Sequence, residues 1–376
     1  MTELVPITLF GILFAFISHK YSDFDPIDSK YRRKERLFYT IMSIGLILFG
    51  GLRTDYNDTG TYVLLYERHK EGINVFQDIN WLELGSNPGF VFVQRVMRNL
   101  GVTKQGFLLT FSVVTIGINL WFFKKYSCNI WLSILLYITF AGYTFTLAAI
   151  KQCVAMALCL VATDRFINQK HIRGALWILL GSLFHPYALM YFVVPFLFFR
   201  PWSEYTFVML FVFALAGVSM QSMLGTILNV TDMMGEEYDA ASFTGEGVNP
   251  FRLLVTAVPV FLSVLTTKQI TADEDNDQYV MVNLSMLNAE IMFVALFGTA
   301  NYFARLANYF LPFQALAIPW LLKHYERKER TNITLLAVLG YVMFYIYSFS
   351  INENFDRAFR KVTLWQYLDQ LFHFPF

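Results

Sequence analysis

Roughly a dozen apolar runs, each closed by a break that is rich in Lys or Arg or contains Asn or Pro, fill this chain. A hydrocarbon bilayer is the solvent that pattern suits. Hydrophobic residues make up 56% of the sequence and charged residues 15%, with 39 phenylalanines, a balance that fits helices with apolar faces turned both inward and outward. The expected fold is an all-α polytopic membrane protein of about 12 transmembrane helices, one integral membrane unit over residues 1–376. A single polar segment of about fifty residues, 53–104, interrupts the runs, and function is expected there.

Charge segregation sets the expected topology. Lys20, Lys30, Arg32, Arg33, Lys34 and Arg36 crowd one break, and Lys323, Arg327, Lys328 and Arg330 crowd another. The positive-inside tendency puts both in the cytoplasm. The walk between them predicts spans near 4–18, 37–52, 105–123, 128–147, 148–164, 174–186, 187–199, 205–223, 250–266, 279–299, 303–322 and 332–350, with both termini outside. Residues 175–199 are read as a hairpin about His185-Pro186, because one kinked helix would invert everything after it and turn the second basic break outward. The first run is short for a bilayer but lacks the basic start and cleavage site of a signal peptide, so it reads as a retained, thin or tilted span.

Three segments fall outside on this walk. Residues 53–104 carry apolar positions at helical spacing (Val63 and Tyr66; Phe90, Val93, Val96, Met97 and Leu100), which predicts amphipathic helices folded into a cap. Residues 224–249 form an acidic, Gly-containing loop suited to a lid, and the tail 351–376 mixes basic and aromatic residues as an interfacial helix does. Cys128, Cys153 and Cys159 have no paired spacing and read as packing residues. No phosphate-binding glycine loop, dinucleotide turn or HExxH helix is present, so no cofactor, metal or nucleic-acid partner is expected. Energy for chemistry must arrive in the substrate.

Ionisable groups in or beside a span are costly unless paired, hydrated or used, and here they gather on the outer side. Asp55 and Asp58 are three apart, so both can face one pocket if Asp58 opens a helix; the plainer reading makes Asp58 an N-cap and Asp55 a turn residue. Arg53 stands beside them, and a carboxylate flanked by cations can orient a hydroxyl or act as base. Lys151, Arg252 and Arg305 each begin a span at its outer end, either as snorkelling anchors or as a convergent set that stabilises a departing diphosphate. His185 offers a titratable imidazole or a satisfied structural group. Glu290 needs a partner inside its span, and Asn283 and Asn288 are expected to share a polar seam with it. Tyr56, Tyr62, Tyr66, Trp81, Phe90 and Phe243 could stack on sugar rings or serve as belt aromatics.

The run Gly51-Leu-Arg53…Asp55…Asp58-Thr…Tyr62 resembles the Gly-x-Arg…Gly-x-Asp-Thr…Tyr signature of the EpsG family, the Wzy-like polymerases of bacterial exopolysaccharide and O-antigen. Ile150-Lys-Gln152 with Val154-Ala155, Leu183-Phe-His185-Pro-Tyr-Ala188 and Tyr302-Phe-Ala-Arg305…Tyr309-Phe resemble three further segments of that family, in the same order. Lys151 stands where Arg is usual, Asn57 where Gly is common, and Asn87-Pro-Gly replaces a Glu for which Glu83 is the nearest substitute.

The resemblance implies a GT-C-like glycosyltransferase of the bacterial cytoplasmic (inner) membrane with an outward-facing site. Its substrate would be undecaprenyl-diphosphate-linked oligosaccharide, its cofactor requirement none, and its partners a chain-length regulator and a flippase. On that resemblance Arg53, Asp58, Lys151, His185 and Arg305 carry over; joined to the charge reading above, Asp58, His185 and Asp55 are the expected catalytic residues, Arg305, Arg252, Lys151 and Arg53 the expected diphosphate ligands, and Tyr62 and Glu83 the expected contacts to the acceptor glycan. A flippase of the same oligosaccharide, a glycan ligase and an acyltransferase are the rival readings. A flippase calls for polar residues through the whole bilayer depth, and an acyltransferase for a His-centred pair that His171 does not supply.

Overall fold

The computed structural model describes residues 2–24, 29–69, 87–219, 248–273, 275–297, 300–352 and 355–372, with positions 226, 229, 230 and 233 between them. The described residues are 83% helix, and the helices track the apolar runs: Leu4–Phe24, Ser29–Gly51, Lys104–Tyr126, Ile150–Ile167, His171–Ser182, Glu204–Val218, Asn276–Val294, Leu311–Lys323 and Arg327–Ile346. The first of these continues past the expected end at 18 through His19 and Lys20, whose long side chains can lie along apolar surface while the charge reaches water.

Among the described residues three helical segments, Leu4–Ser22, Lys104–Tyr126 and Arg327–Ser350, are long and apolar enough to cross a membrane on length and composition. A fourth candidate is the pair Ile130–Thr139 and Gly142–Ala148, bent by 50°. Twelve membrane-length helices are not confirmed, because local backbone chemistry cuts several runs. Ala141 takes a left-handed conformation (φ 67°) at the 50° bend. Pro259, lacking an amide hydrogen, separates Pro250–Thr256 from Val258–Leu265, and Pro312 begins a new helix after Ala300–Asn308.

Leu9, Leu13, Phe207, Phe211, Leu215 and Leu336 are all exposed on the helix exteriors. In water that apolar surface would be an aggregation liability; against lipid it is ordinary, and the protein is membrane-embedded.

Side-chain contacts sort the chain into two ends. At one end Lys125 and Tyr126 bond to buried Asp164, Lys124 pairs with Glu35, and Lys323 Nζ meets Asp273 Oδ2 at 3.0 Å. The acidic 273–277 loop thus lies with the basic breaks, as the walk along the chain expects. Cys128, at this end, is exposed rather than packed; Cys153 and Cys159 are buried.

At the other end the first and last described segments meet. Asp356 accepts from the backbone amide of Thr2 (2.6 Å) and of Glu3 (3.2 Å). A two-stranded antiparallel sheet, β1 (Arg53–Asp55) with β2 (Arg360–Lys361), departs from the all-helical expectation. It straps the tail to the start of the 53–104 segment, and the helix Leu364–Phe372 follows.

Within residues 53–104, where amphipathic helices are expected, the described helices are Thr59–Arg68 and Pro88–Asn99. Tyr66 stacks on Phe107 (centroids 4.5 Å apart) and Phe90 packs on Phe111 (5.4 Å), each pair worth roughly 0.5–1.5 kcal/mol beyond burial. Gly89 donates its amide to Leu183 O (2.8 Å), and a Cβ there would sit 2.8 Å from Leu183 Cβ. Asn87-Pro-Gly is therefore a docking point, holding the cap two residues from His185.

Candidate functional site

A cavity of ≈ 830 Å³ opens at the end where the cap and tail meet. Its walls come from the turn before Thr59–Arg68, the bent pair, the start of Ile150–Ile167, the His171–Ser182 hairpin, Pro250–Thr256, Ala300–Asn308 and the end of Arg327–Ile346. The bend at Ala141 aims Thr144, Phe145 and Ala148 into it. Gly142 permits that bend: a Cβ there would lie 2.8 Å from the Tyr137 ring and 2.9 Å from Leu311.

Of the nine expected site residues, Asp58, Tyr62, Lys151, His185, Arg252 and Arg305 line this cavity. They come from five separate helices or turns, so folding alone brings them together. Asp58 occupies the N-cap position of Thr59–Arg68, yet its carboxylate makes no capping hydrogen bond and the side chain is exposed. The plain capping role is thereby unfilled, and the carboxylate faces the cavity. Asn57 before it holds φ 51°, a left-handed turn that Gly takes freely and Asn tolerates better than most residues, which accounts physically for Asn in the place where Gly is common.

Arg53 and Asp55 do not line the cavity. Arg53 is 1% exposed, and its guanidinium donates to Gly50 O (2.5 Å), Ser112 Oγ (3.1 Å) and Thr59 Oγ1 (3.2 Å). It braces the turn that presents Asp58. Asp55 is exposed on β1, with Oδ1 3.8 Å from where a Cβ on Gly60 would stand. Glu83, Trp81 and Phe243 lie outside the described residues. Tyr66 and Phe90 are core, at 0% and 2% exposure, and present no face to a sugar; Tyr56 lines the cavity.

Tyr62 is buried, and its hydroxyl hydrogen-bonds the backbone of Lys151. Burial first, and the nearby Asp58 charge second, push its ionisation well above the usual tyrosine range, so it serves as a neutral hydroxyl. His185 Nδ1 lies 3.0 Å from the Tyr309 hydroxyl, and the charges of Lys151 and Arg305 act on the ring. Lys151 sits in the first turn of an 18-residue helix, where the helix dipole already favours anions.

Uncharged amides anchor the cation-bearing helices by their backbones. Gln152 Nε2 donates to Arg305 O (2.6 Å), and Asn288 Nδ2 donates to Ala307 O. Gln314 Nε2 bridges Asn288 Oδ1 (2.6 Å) and Thr256 O (2.9 Å), Thr256 Oγ1 donates to Arg252 O (2.7 Å), and Arg252 Nη2 reaches Asn308 Oδ1 at 3.4 Å. Gln314, Thr256 and Asn308 escape sequence reasoning, although a glutamine inside an otherwise apolar run was a legible signal. Glu290 does not join this relay: its carboxylate has no hydrogen-bond partner among the described residues, Asn283 donates to Leu197 O and Phe199 O, and the expected seam does not form. Asn283 and Asn288, five apart on one helix, face different neighbours.

The cavity lining thus sets three cations, Lys151, Arg252 and Arg305, against one carboxylate, Asp58. Such an excess in a membrane-embedded pocket is suited to an anion. Among the described residues no group of three or more His, Cys, Asp or Glu side chains gathers to hold a metal ion.

Fold and cavity together define a helical membrane protein that collects cations, a carboxylate and a histidine at one end of its bundle. The family model described as the EpsG family matches residues 36–367, and the chain belongs to the EpsG family. It is accordingly a membrane protein of polysaccharide biosynthesis, consistent at a coarse level with a glycosyltransferase-like polymerase. No curated protein and no solved structure matches the chain.

Proposed function

We propose that the protein is a polysaccharide polymerase, transferring glycan from an undecaprenyl-diphosphate-linked donor to a hydroxyl of a lipid-linked repeat unit at the outer face of the cytoplasmic membrane. The observation that carries this reading is the excess of cations over carboxylates in the cavity, with Asp58 and His185 on the same walls. Arg305, Arg252 and Lys151 hold the donor diphosphate. The acceptor oxygen gives its proton to Asp58 or His185 and bonds to the anomeric carbon from the face opposite the diphosphate. The bond from that carbon to the diphosphate oxygen breaks, with inversion, and its electron pair leaves on the diphosphate.

Positioned cations stabilise that departing charge in a pocket of low dielectric, where loss of one donor costs roughly 10²–10³ in rate. The charge work that a metal would do falls to these side chains. Two lipid-tethered substrates confined to one cleft gain further rate through proximity. A flippase would spread polar groups along the bilayer depth; here the charged cavity residues gather at one end.

The test is a gel of lipid-linked and surface glycan from a host lacking this protein, with and without complementation. Single repeat units exposed at the outer face, and a ladder restored on complementation, support polymerisation. Repeat units trapped inside would contradict it and indicate a flippase.

A further inference from the structure

The cavity is chemically divided. Beside the Arg252 helix, one wall of the cavity is lined by the consecutive residues Tyr347, Ser348 and Phe349. The Arg327–Ile346 helix passes into a π-helix at Tyr347–Asn352 where it reaches this wall. Such turns cost local hydrogen-bond geometry and recur at functional sites.

This wall is tied to the cation that the proposed mechanism needs. Asn249 Nδ2 donates to the Tyr347 hydroxyl at 2.9 Å, and Asn249 Oδ1 caps the Pro250–Thr256 helix by accepting from Phe251 N at 2.8 Å. Arg252 is on the first turn of that helix. Phe251 packs edge-on against the Tyr347 ring, with centroids 5.7 Å apart and planes at 85°, which fixes the ring orientation. Tyr347 and Ser348 remain half-exposed, whereas Phe349 is buried behind them.

We infer that Tyr347 and Ser348 form a carbohydrate subsite for the sugar bonded directly to the donor diphosphate. The inference rests on the polymerase reading and assigns a substrate group to a wall that reading leaves unused. A diphosphate held by Arg252 sets its attached sugar beside the residues that Asn249 and Phe251 fix. The C–H face of a pyranose packs on the tyrosine ring, and Ser348 Oγ takes a ring hydroxyl. Polyprenyl chain suits this wall less well, because isoprene units would desolvate the Ser348 and Tyr347 hydroxyls without replacing their hydrogen bonds to water.

The experiment uses the whole protein in proteoliposomes, with lipid-linked repeat units purified from a host lacking it as the probe. Initial rates are measured for wild type, Tyr347→Phe, Tyr347→Leu, Ser348→Ala and Arg305→Ala. The subsite predicts a KM for the donor raised roughly tenfold in Tyr347→Leu, with smaller rises in Ser348→Ala and in Tyr347→Phe, which keeps the ring and loses the bond from Asn249, and with kcat little changed in all three. Arg305→Ala loses turnover. Wild-type KM in both Tyr347→Leu and Ser348→Ala beside an inactive Arg305→Ala overturns the subsite and leaves the polymerase reading standing. A raised KM in Tyr347→Leu with Ser348→Ala unaffected overturns it in favour of isoprenoid packing. Full turnover in Arg305→Ala overturns both readings.

Discussion

His185 Nδ1 and the Tyr309 hydroxyl lie 3.0 Å apart, a buried pair contributed by the hairpin and by the break between Ala300–Asn308 and Leu311–Lys323. Tyr309 O in turn accepts from the Tyr191 hydroxyl at 2.6 Å. The imidazole is therefore oriented through one nitrogen, which leaves Nε2 as the ring nitrogen for the cavity. Tyr309→Phe should lower kcat by about tenfold with little change in KM, and His185→Ala should cost more. Equal loss of folded protein in both variants, with normal specific activity in what remains, would reduce the pair to a structural contact.

Asp58 allows a clean separation of capping from chemistry. Serine is as good an N-cap as aspartate, so Asp58→Ser should keep the thermal midpoint of the protein and abolish glycan transfer. A variant that retains activity would show the carboxylate to be only a helix-starting residue. Asp58→Asn, which keeps the shape without the charge, should behave as Asp58→Ser does.

The amide relay predicts a different signature. Gln314→Leu removes the donor shared by Asn288 Oδ1 and Thr256 O, leaving buried acceptors unsatisfied at roughly 1–3 kcal/mol. Because those acceptors hold the backbones behind Arg252 and Arg305, the variant should also raise the KM for donor. Loss of stability with KM unchanged would show that the relay supports the fold without setting the spacing of the cations.

Much of this architecture was legible in the chain, for physical reasons. Apolar runs are long relative to their breaks, so helix positions follow from hydropathy, and residues as far apart as Asp58, Lys151 and Arg305 stand out because charge near hydrocarbon is costly. Local backbone conformations were less legible. Nothing in the residues around Ala141 announces a left-handed alanine, and the 50° bend it makes is what opens the cavity wall. Arg53 carried the same signal as Arg305, but only packing reveals that Gly50, Ser112 and Thr59 consume its donors. The β1–β2 strap pairs residues some three hundred positions apart, and a two-residue strand has no periodicity to read.

At the opposite end of the bundle, Asp273 supplies a pH dependence. A hydrogen bond from Lys323, opposed by partial burial and aided by His324, holds its carboxyl below the usual value of 3.8. A depressed folded value means that the stabilisation is present above 3.8 and is lost as pH falls through the folded value. Wild type should therefore exceed Asp273→Asn slightly in thermal stability at neutral pH, and the gap should close in acid; the exposed setting keeps it small. A gap that widens on acidification would contradict this assignment.

The central claim, that cavity cations carry the charge of a departing diphosphate, is tested most directly by reconstituting wild type and Arg305→Ala in proteoliposomes with purified lipid-linked repeat units and following both glycan length and released lipid diphosphate. The account predicts that wild type builds a ladder and releases diphosphate in step with each bond formed, while Arg305→Ala inserts and folds normally but forms neither. A ladder of normal length from Arg305→Ala would contradict it.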